Sequence, residues 1–121
     1  MRIRNRLIAA PTTALIVVGG ITAAYAVTES RLFPNIPYRG SLSGAFYAGQ
    51  FCGANEMGDD LADQAWTMEK AGYDCGAVTA KAWLTHPDYG NLTIWSTSPS
   101  YATVHYGGTR FYQSLHTATG S

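Results

Sequence analysis

Residues 78–116 have the sequence VTAKAWLTHPDYGNLTIWSTSPSYATVHYGGTRFYQSLH, in which turn signals separate four short segments. These signals are residues 87–91 (PDYGN), residues 98–100 (SPS) and the pair Gly107-Gly108. Between them apolar and polar side chains alternate, which is typical of β-strands with one buried face. The pattern predicts four antiparallel strands over residues 78–85, 92–97, 101–106 and 109–116.

The lengths of the three turns also predict a register for these strands. A Gly-Gly pair favours a two-residue hairpin, which places Val104 opposite Phe111. Counting back through the other turns places Ile94 opposite Val104 and Leu84 opposite Ile94. These four residues then form one apolar row across the sheet, and a slip by one residue would destroy it. We therefore expect a four-stranded antiparallel meander.

Residues 56–72 have the features of an α-helix that would cover this apolar row. Asn55 is a favourable N-cap, acidic residues follow it in the first turn, and Gly72 is a natural C-terminal stop. A stripe at helical spacing is formed by Met57, Leu61, Ala65 and Met68. Tyr47 and Phe51 indicate a second short helix within residues 45–52. The predicted fold class is α+β, with one or two helices packed on the four-stranded meander.

The segment that precedes this domain is rich in helix and strand breakers. Residues 27–44 contain Pro34, Pro37, Gly40 and Gly44. Such punctuation predicts an irregular entry segment over residues 27–44. The small α+β domain is then expected to occupy residues 45–121.

The first 26 residues have the organisation of a signal peptide or a signal anchor. Three arginines, Arg2, Arg4 and Arg6, precede an uncharged run over residues 7–27. An apolar core followed by Ala24-Tyr25-Ala26 fits a cleaved secretory signal, whereas a run of this length could also span a membrane. Either interpretation places the rest of the chain outside the cytoplasm. The protein is predicted to be secreted, or anchored in the cytoplasmic membrane through residues 7–27 with its C-terminal domain outside.

Beyond residue 26 the chain is acidic. Five basic and eight acidic residues leave it a net charge of −3. A surface with this charge is a poor match for the phosphate backbone of nucleic acid. Nucleic acid is therefore not expected as a partner.

Cys52 and Cys75 are the two cysteines of the chain. An even count in an exported domain predicts a disulfide bond, with free thiols or a metal pair as the alternatives. Closing this loop would stabilise the fold by roughly 3 kcal/mol. A zinc site requires about four ligands at characteristic spacings, and the chain has neither a CxxC pair nor clustered histidines. No metal or other cofactor is expected.

The polar face of the predicted meander is the candidate binding surface. It carries aromatic and cationic side chains and no carboxylate, since no Asp or Glu follows Asp88. The candidate binding residues are Lys81, Trp83, Trp95, Tyr101, His105, Arg110 and Tyr112. Aromatic residues with arginine are the usual composition of interface hot spots. The alternative is that Trp83 and Trp95 face each other on neighbouring strands, beneath a cover of residues 28–51.

These observations favour a non-catalytic envelope protein that binds another protein at the membrane or outside the cell. It would act as an accessory subunit or an inhibitor-like module. A second hypothesis is a small secreted nuclease, in which His105 and His116 act as acid and base and Arg110 binds the phosphate. A third is a carbohydrate- or cell-wall-binding module whose aromatic face stacks on sugar rings.

Overall fold

The computed structural model describes residues 15–18, 21–24 and 26–121, and this part of the chain contains ten β-strands and no helix. The strands are β1 (Leu15–Val18), β2 (Ile21–Ala24), β3 (Val27–Phe33), β4 (Ser41–Tyr47), β5 (Gly53–Asp59), β6 (Gln64–Glu69), β7 (Ala77–His86), β8 (Gly90–Ser98), β9 (Tyr101–His105) and β10 (Arg110–Gly120). The predicted α+β class is therefore wrong, because the described chain is all-β.

Eight of the strands form two four-stranded antiparallel sheets. The first sheet has the order β3-β10-β7-β8 and the second has the order β4-β5-β6-β9. The sheets pack face to face, since Leu84 and Phe111 of the first share a buried cluster with Ala65 and Val104 of the second. This architecture is a β-sandwich. Strands β1 and β2 form a separate two-stranded ladder.

The predicted signal or anchor segment, residues 1–26, falls largely outside the described residues. Its cleavage or retention stays a prediction. Among the residues that the structure describes, no helix is long and apolar enough to cross a membrane.

The first predicted hairpin is present, but its register differs by two residues. Strands β7 and β8 are joined by three residues, because the His86 ring nitrogen Nδ1 accepts hydrogen bonds from the backbone N–H groups of Asp88 and Tyr89, at 2.9 and 3.3 Å. Trp83 consequently pairs with Thr93. A shift of two residues keeps every side chain on its predicted face, since side chains alternate with a period of two.

The predicted meander ends after β8, because β9 belongs to the other sheet. Strand β9 pairs with β6, and β10 returns to lie between β3 and β7. The predicted apolar row is nevertheless packed together, since Val104 contacts the cluster of Leu84, Ile94 and Phe111 across the interior. The prediction that these four residues lie on neighbouring strands of one sheet is wrong.

The predicted helix over residues 56–72 is also wrong, since these residues belong mainly to the β5–β6 hairpin. The inward-facing side chains of the hairpin are small or polar, and include Ala54, Glu56, Ala65 and Thr67. The larger apolar side chains Met57, Trp66 and Met68 alternate with them and lie on the outer face. In this hairpin the large apolar residues therefore occupy the outward positions, and small or polar residues occupy the buried ones. This inversion hides the strand pattern and leaves an accidental helical spacing.

Two upstream predictions fail for related reasons. Residues 45–52, expected to be helical, contain the end of β4, in which Phe46 is buried and Tyr47 is exposed. Residues 27–44, expected to be irregular, contain β3 and the start of β4. Strand β3 lies at the edge of the first sheet, where polar side chains are tolerated, so its sequence lacks a strong apolar alternation.

Small side chains allow the two sheets to approach closely. The buried alanines are Ala48, Ala54, Ala65, Ala80, Ala82, Ala102 and Ala118. A Cβ atom added at Gly58 would lie 2.5 Å from Ser114 Oγ and 2.6 Å from Ile36 Cδ1. The interior therefore has no room for a larger side chain at Gly58.

The predicted disulfide bond is confirmed, with Cys52 joined to Cys75. Cys52 precedes β5 of the second sheet and Cys75 precedes β7 of the first, so the bond links the two sheets covalently. The end of β10 lies against this link, where the Gly76 N–H donates a hydrogen bond to the Thr119 carbonyl oxygen at 2.8 Å. We call this the disulfide end of the sandwich.

Several polar side chains are buried in the interior between the two sheets. His116 is fully buried, with Nδ1 2.9 Å from Thr67 Oγ1 and Nε2 2.8 Å from Ser114 Oγ. Burial lowers the pKa of His116 to about 4. Burial raises the pKa of Glu56 to about 7, an effect that the nearby Arg31 partly opposes. The interior thus favours the neutral form of both groups.

Gly120 is expected to tolerate no side chain. A Cβ atom there would lie 2.2 Å from Cys52 Cβ, so Gly120→Ala must displace the disulfide or the end of β10. Overpacking of this kind lowers the free energy of unfolding by about 1–3 kcal/mol, which urea denaturation measures. Gly76→Ala is the matched control, because the nearest atom to its Cβ would be the Thr119 carbonyl oxygen at 3.5 Å. Equal stability of the two variants would contradict this packing.

Stability is expected to depend on pH through Glu56 and His116. The Glu56 pKa is about 7 in place of 4.5, so its ionisation opposes the fold increasingly as pH rises through that interval. The His116 pKa is about 4 in place of 6.5, so its protonation opposes the fold increasingly as pH falls through that interval. The contribution of this pair is therefore most favourable between about pH 4.5 and 6.5.

Glu56→Gln should remove the loss on the alkaline side. At pH 8 we expect the variant's free energy of unfolding to exceed the parent's by about 3 kcal/mol, with little difference at pH 4. Urea denaturation at both pH values measures this difference. Asp88→Asn, which removes an exposed carboxylate, is the control. A Glu56→Gln effect that is the same at both pH values would show that ionisation of Glu56 is not its cause.

Candidate binding face

The outer face of the first sheet carries the best candidate surface. Strand register aligns Leu32, Leu115, Lys81 and Trp95 in one row across its four strands. The neighbouring outward positions are mainly hydroxyl residues: Thr28, Ser30, Thr79, Thr85, Thr93, Thr97, Thr117 and Thr119. Gln113 and Trp83 complete the surface. We call this surface the Trp95 face, and none of these outward residues is acidic.

Trp95 and Leu32 are the exposed apolar groups of this face. Trp95 is 67% exposed and Leu32 is 49% exposed, although both lie within regular strands. Trp83 is less exposed, and the Lys81 ammonium group lies 5.1 Å from the centre of its ring. The lysine thus partly covers one indole, while the other stays open to solvent.

Hydroxyl side chains occupy most of the other positions on the Trp95 face. Three cross-strand pairs, Thr28 with Thr119, Ser30 with Thr117 and Thr79 with Thr97, have oxygen–oxygen distances of 2.9, 3.0 and 3.0 Å. Because these hydroxyls bond to each other, the surface needs few contacts with water to satisfy them. Low charge reduces the desolvation cost of docking.

The structure keeps three of the seven predicted binding residues together. Lys81, Trp83 and Trp95 share the Trp95 face, but Trp95 lies opposite Lys81, and the expected Trp83–Trp95 pairing is absent. Tyr101 and His105 lie on β9, and therefore on the outer face of the second sheet. The predicted surface is divided because β9 changes sheets.

Arg110 pairs with Thr85 next to an irregularity in β10, and Tyr112 lies at the irregularity itself. The register between β10 and β7 shifts between Phe111 and Gln113. Arg110 forms an ion pair with Asp60 at 3.4 Å and donates a hydrogen bond to the Ile36 carbonyl oxygen at 2.7 Å. The Tyr112 carbonyl oxygen accepts a hydrogen bond from the Ile36 N–H at 3.0 Å.

The residues proposed for a nuclease do not converge. His116 is buried between the sheets, His105 is exposed on the second sheet, and Arg110 is paired with Asp60. The Ser114 and Thr67 contacts of His116 have distances that would suit proton transfer, but a fully buried ring cannot reach a substrate. No group of His, Cys, Asp or Glu side chains in the described part of the chain could hold a metal ion.

Two surface residues, Leu32 and Trp66, are not among the binding residues predicted from the sequence. Leu32 lies in residues 27–44, the predicted irregular segment. The alternation of Thr28, Ser30 and Leu32 with charged residues is nevertheless a weak strand signal. On the second sheet, Trp66 and Tyr101 form an edge-to-face pair with ring centres 6.4 Å apart. The sequence predicts a helix at Trp66 and a strand at Tyr101, so it gives no sign that these two rings meet across β6 and β9.

Comparison with known proteins identifies no relative. Neither a protein-family model nor a curated protein matches the chain, and no solved structure matches it.

Trp95 should be the tryptophan most accessible to solvent. Trp95 is more exposed than Trp66 and Trp83, so Trp95→Thr should remove much of the fluorescence that acrylamide quenches. Its free energy of unfolding should change by less than about 0.5 kcal/mol, because the substitution is on the surface and threonine favours strands. Trp83→Thr is the comparison. If Trp83→Thr removed more of the quenchable fluorescence than Trp95→Thr does, the exposure of Trp95 would be contradicted.

Proposed function

We propose that this chain is a non-catalytic binding module that works outside the cytoplasm and holds a protein partner on the Trp95 face. The observation that carries the proposal is the exposure of Trp95 within a regular strand of the sandwich. A large apolar side chain on a rigid strand loses little conformational entropy when a partner covers it. Tryptophan is also among the residues most enriched in interface hot spots.

The surroundings of Trp95 support an interface of ordinary composition. Leu32 and Leu115 add two apolar side chains to the same row, in which Lys81 separates them from Trp95, and hydroxyl residues surround the row. Interfaces commonly combine an apolar centre with a polar rim that excludes water. Lys81 is the charged residue of the row, so the complementary surface should be apolar with an acceptor group opposite the lysine.

The disulfide bond supports a location in an oxidising compartment. Such bonds persist mainly in secreted and envelope proteins, because cytosolic thiols are kept reduced. The organisation of residues 1–26 as a signal peptide or signal anchor supports the same location. If that segment is retained, residues 7–27 tether the module to the membrane and the partner is a neighbouring membrane protein. If it is cleaved, the partner is diffusible or surface-bound.

A carbohydrate ligand is the second candidate for the same face. The open Trp95 ring lies between Thr93 and Thr97 on an edge strand, so it could stack on a sugar whose hydroxyls contact the threonines. The position of Lys81 over Trp83 disfavours this candidate, because it removes a second open ring from the platform. A protein partner requires only one anchor residue and is therefore favoured.

Affinity capture with matched variants tests the proposal. The full chain is used to capture partners from envelope extract, and bound proteins are identified by mass spectrometry. Trp95→Ala should weaken capture roughly thirtyfold, the effect of losing a hot-spot residue. Tyr101→Ala, on the outer face of the second sheet, is the control and should leave capture unchanged.

The same samples separate the two candidates. Retention on insoluble cell-wall polysaccharide that Trp95→Ala abolishes, without any captured protein, would favour the carbohydrate ligand. Capture that is indifferent to Trp95→Ala would show that this face is not the binding surface. The intact mass of the purified chain would show whether residues 1–26 remain.

A further inference from the structure

A second candidate site lies at the end of the sandwich opposite the disulfide, which we call the loop end. The connections β3–β4, β5–β6, β7–β8 and β9–β10 meet there around a cleft of about 510 Å³. Its lining includes Tyr38, Arg39, Leu61, Asp63, Pro87 and Thr109. Clefts of this size accommodate small molecules or a few residues of a peptide. Loops on a rigid sandwich are also a common position for binding residues.

Asp60 forms the fixed floor of the cleft. Its carboxylate accepts hydrogen bonds from the backbone N–H groups of Arg39 and Phe111, each at 2.7 Å, and it forms an ion pair with Arg110. These contacts connect three parts of the chain at one buried acidic group. Asp60 and Arg110 largely neutralise each other, so neither offers a free charge to a ligand.

Two strained residues line the same cleft. Arg39 has φ 54° and Asp63 has φ 53°, and they are the non-glycine residues with positive φ in the described ranges. Such conformations cost about 1–3 kcal/mol for most non-glycine residues and concentrate at functional sites. Asp60 holds the Arg39 backbone, and the Gly108 N–H holds the Asp63 carboxylate at 3.0 Å. The Arg39 backbone is therefore held at the cleft against a conformational cost, whereas aspartate adopts positive φ more readily.

Arg39 places an exposed positive charge at the cleft. Its side chain is exposed, its Nε donates a hydrogen bond to the Tyr38 hydroxyl at 3.1 Å, and its guanidinium carbon lies 5.3 Å from the centre of the Tyr38 ring. The two terminal nitrogens form no hydrogen bond with another described residue. A guanidinium held in this way offers paired donors to a planar carboxylate.

Apolar groups stand beside this charge. Leu61 is 69% exposed and Tyr38 is 68% exposed, and Pro87 is also open to solvent. Asp63 adds a negative charge to the lining, which disfavours ligands that carry more than one negative charge. Among the described residues, the lining therefore combines the exposed Arg39 guanidinium, an apolar wall and a nearby acceptor.

We propose that the loop-end cleft binds a carboxylate joined to an apolar group, with the carboxylate on Arg39 and the apolar group against Leu61 and Tyr38. A small apolar acid has this chemistry, and so does the free C-terminus of a peptide that ends in an apolar residue. In the second case Asp63 accepts a hydrogen bond from a peptide N–H. The site is independent of the Trp95 face.

Titration with a matched pair of ligands tests the carboxylate. N-acetyl-leucine and N-acetyl-leucinamide differ only at the carboxyl group, and each is added to the ¹⁵N-labelled full chain. We expect N-acetyl-leucine to shift the Arg39 side-chain Nε–H and the Leu61 amide resonances, with the amide analogue and inorganic phosphate binding at least roughly tenfold more weakly. Equal binding of the acid and its amide, or tighter binding of phosphate, would overturn the proposal.

Substitution of Arg39 tests the site without threatening the fold. Asparagine tolerates positive φ, so Arg39→Asn should fold normally and bind N-acetyl-leucine roughly tenfold more weakly. Arg39→Lys keeps the charge but loses the paired donors, and its affinity should be intermediate. Lys70→Gln removes one positive charge near the disulfide end and should bind as the parent does. Unchanged binding by Arg39→Asn would overturn the proposal.

A peptide arm separates the two sources of the carboxylate. A heptapeptide ending in leucine is compared with its C-terminally amidated form and with N-acetyl-leucine. Tighter binding of the free peptide than of N-acetyl-leucine supports recognition of a peptide C-terminus, and the reverse order supports a small acid. Arg39→Gly should raise the unfolding temperature of the free chain while weakening either interaction about as much as Arg39→Asn does, because glycine removes the backbone strain together with the guanidinium.

Discussion

The close approach of the two sheets is the constraint on which the other features depend. Alanine and glycine occupy many inward positions, and at Gly58 even one added carbon would collide with Ser114. Because an interior of this kind cannot accommodate many bulky side chains, several of them lie on the outer faces. Trp95 and Leu32 on one sheet, and Tyr101 on the other, are exposed for this reason. The packing that stabilises the sandwich therefore also creates its candidate binding surfaces.

The interior also contains polar groups that an apolar core would not need. His116 is satisfied by two hydroxyl partners, whereas Glu56 Oε1 has no hydrogen-bond partner among the described residues. Burial opposes the charged form of both side chains, and it shifts their pKa values in opposite directions. A domain with small inward residues obtains limited hydrophobic stabilisation, so these electrostatic costs and the Cys52–Cys75 bond weigh more heavily in its stability.

The two ends of the sandwich have different roles. At the disulfide end, Gly120 packs on Cys52 so closely that little change is possible. At the loop end, the buried Asp60 fixes strained connections around an open cleft, and Arg39 remains available there. A rigid scaffold of this kind allows loops to carry binding residues without loss of the fold.

Local patterns in the chain were sufficient for the β7–β8 hairpin, the disulfide pair and the placement of Lys81, Trp83 and Trp95 on one face, since each follows from period-two alternation or from cysteine count. The transfer of β9 to the second sheet depends on pairing with β6, a distant strand whose inward residues are small and whose outward residues are apolar. In the β5–β6 hairpin the apolar residues are not the buried ones, so its sequence resembles that of a helix. The separation of Tyr101 and His105 from Trp95, and the meeting of four loops around Asp60, therefore arose from long-range packing that no local pattern encodes.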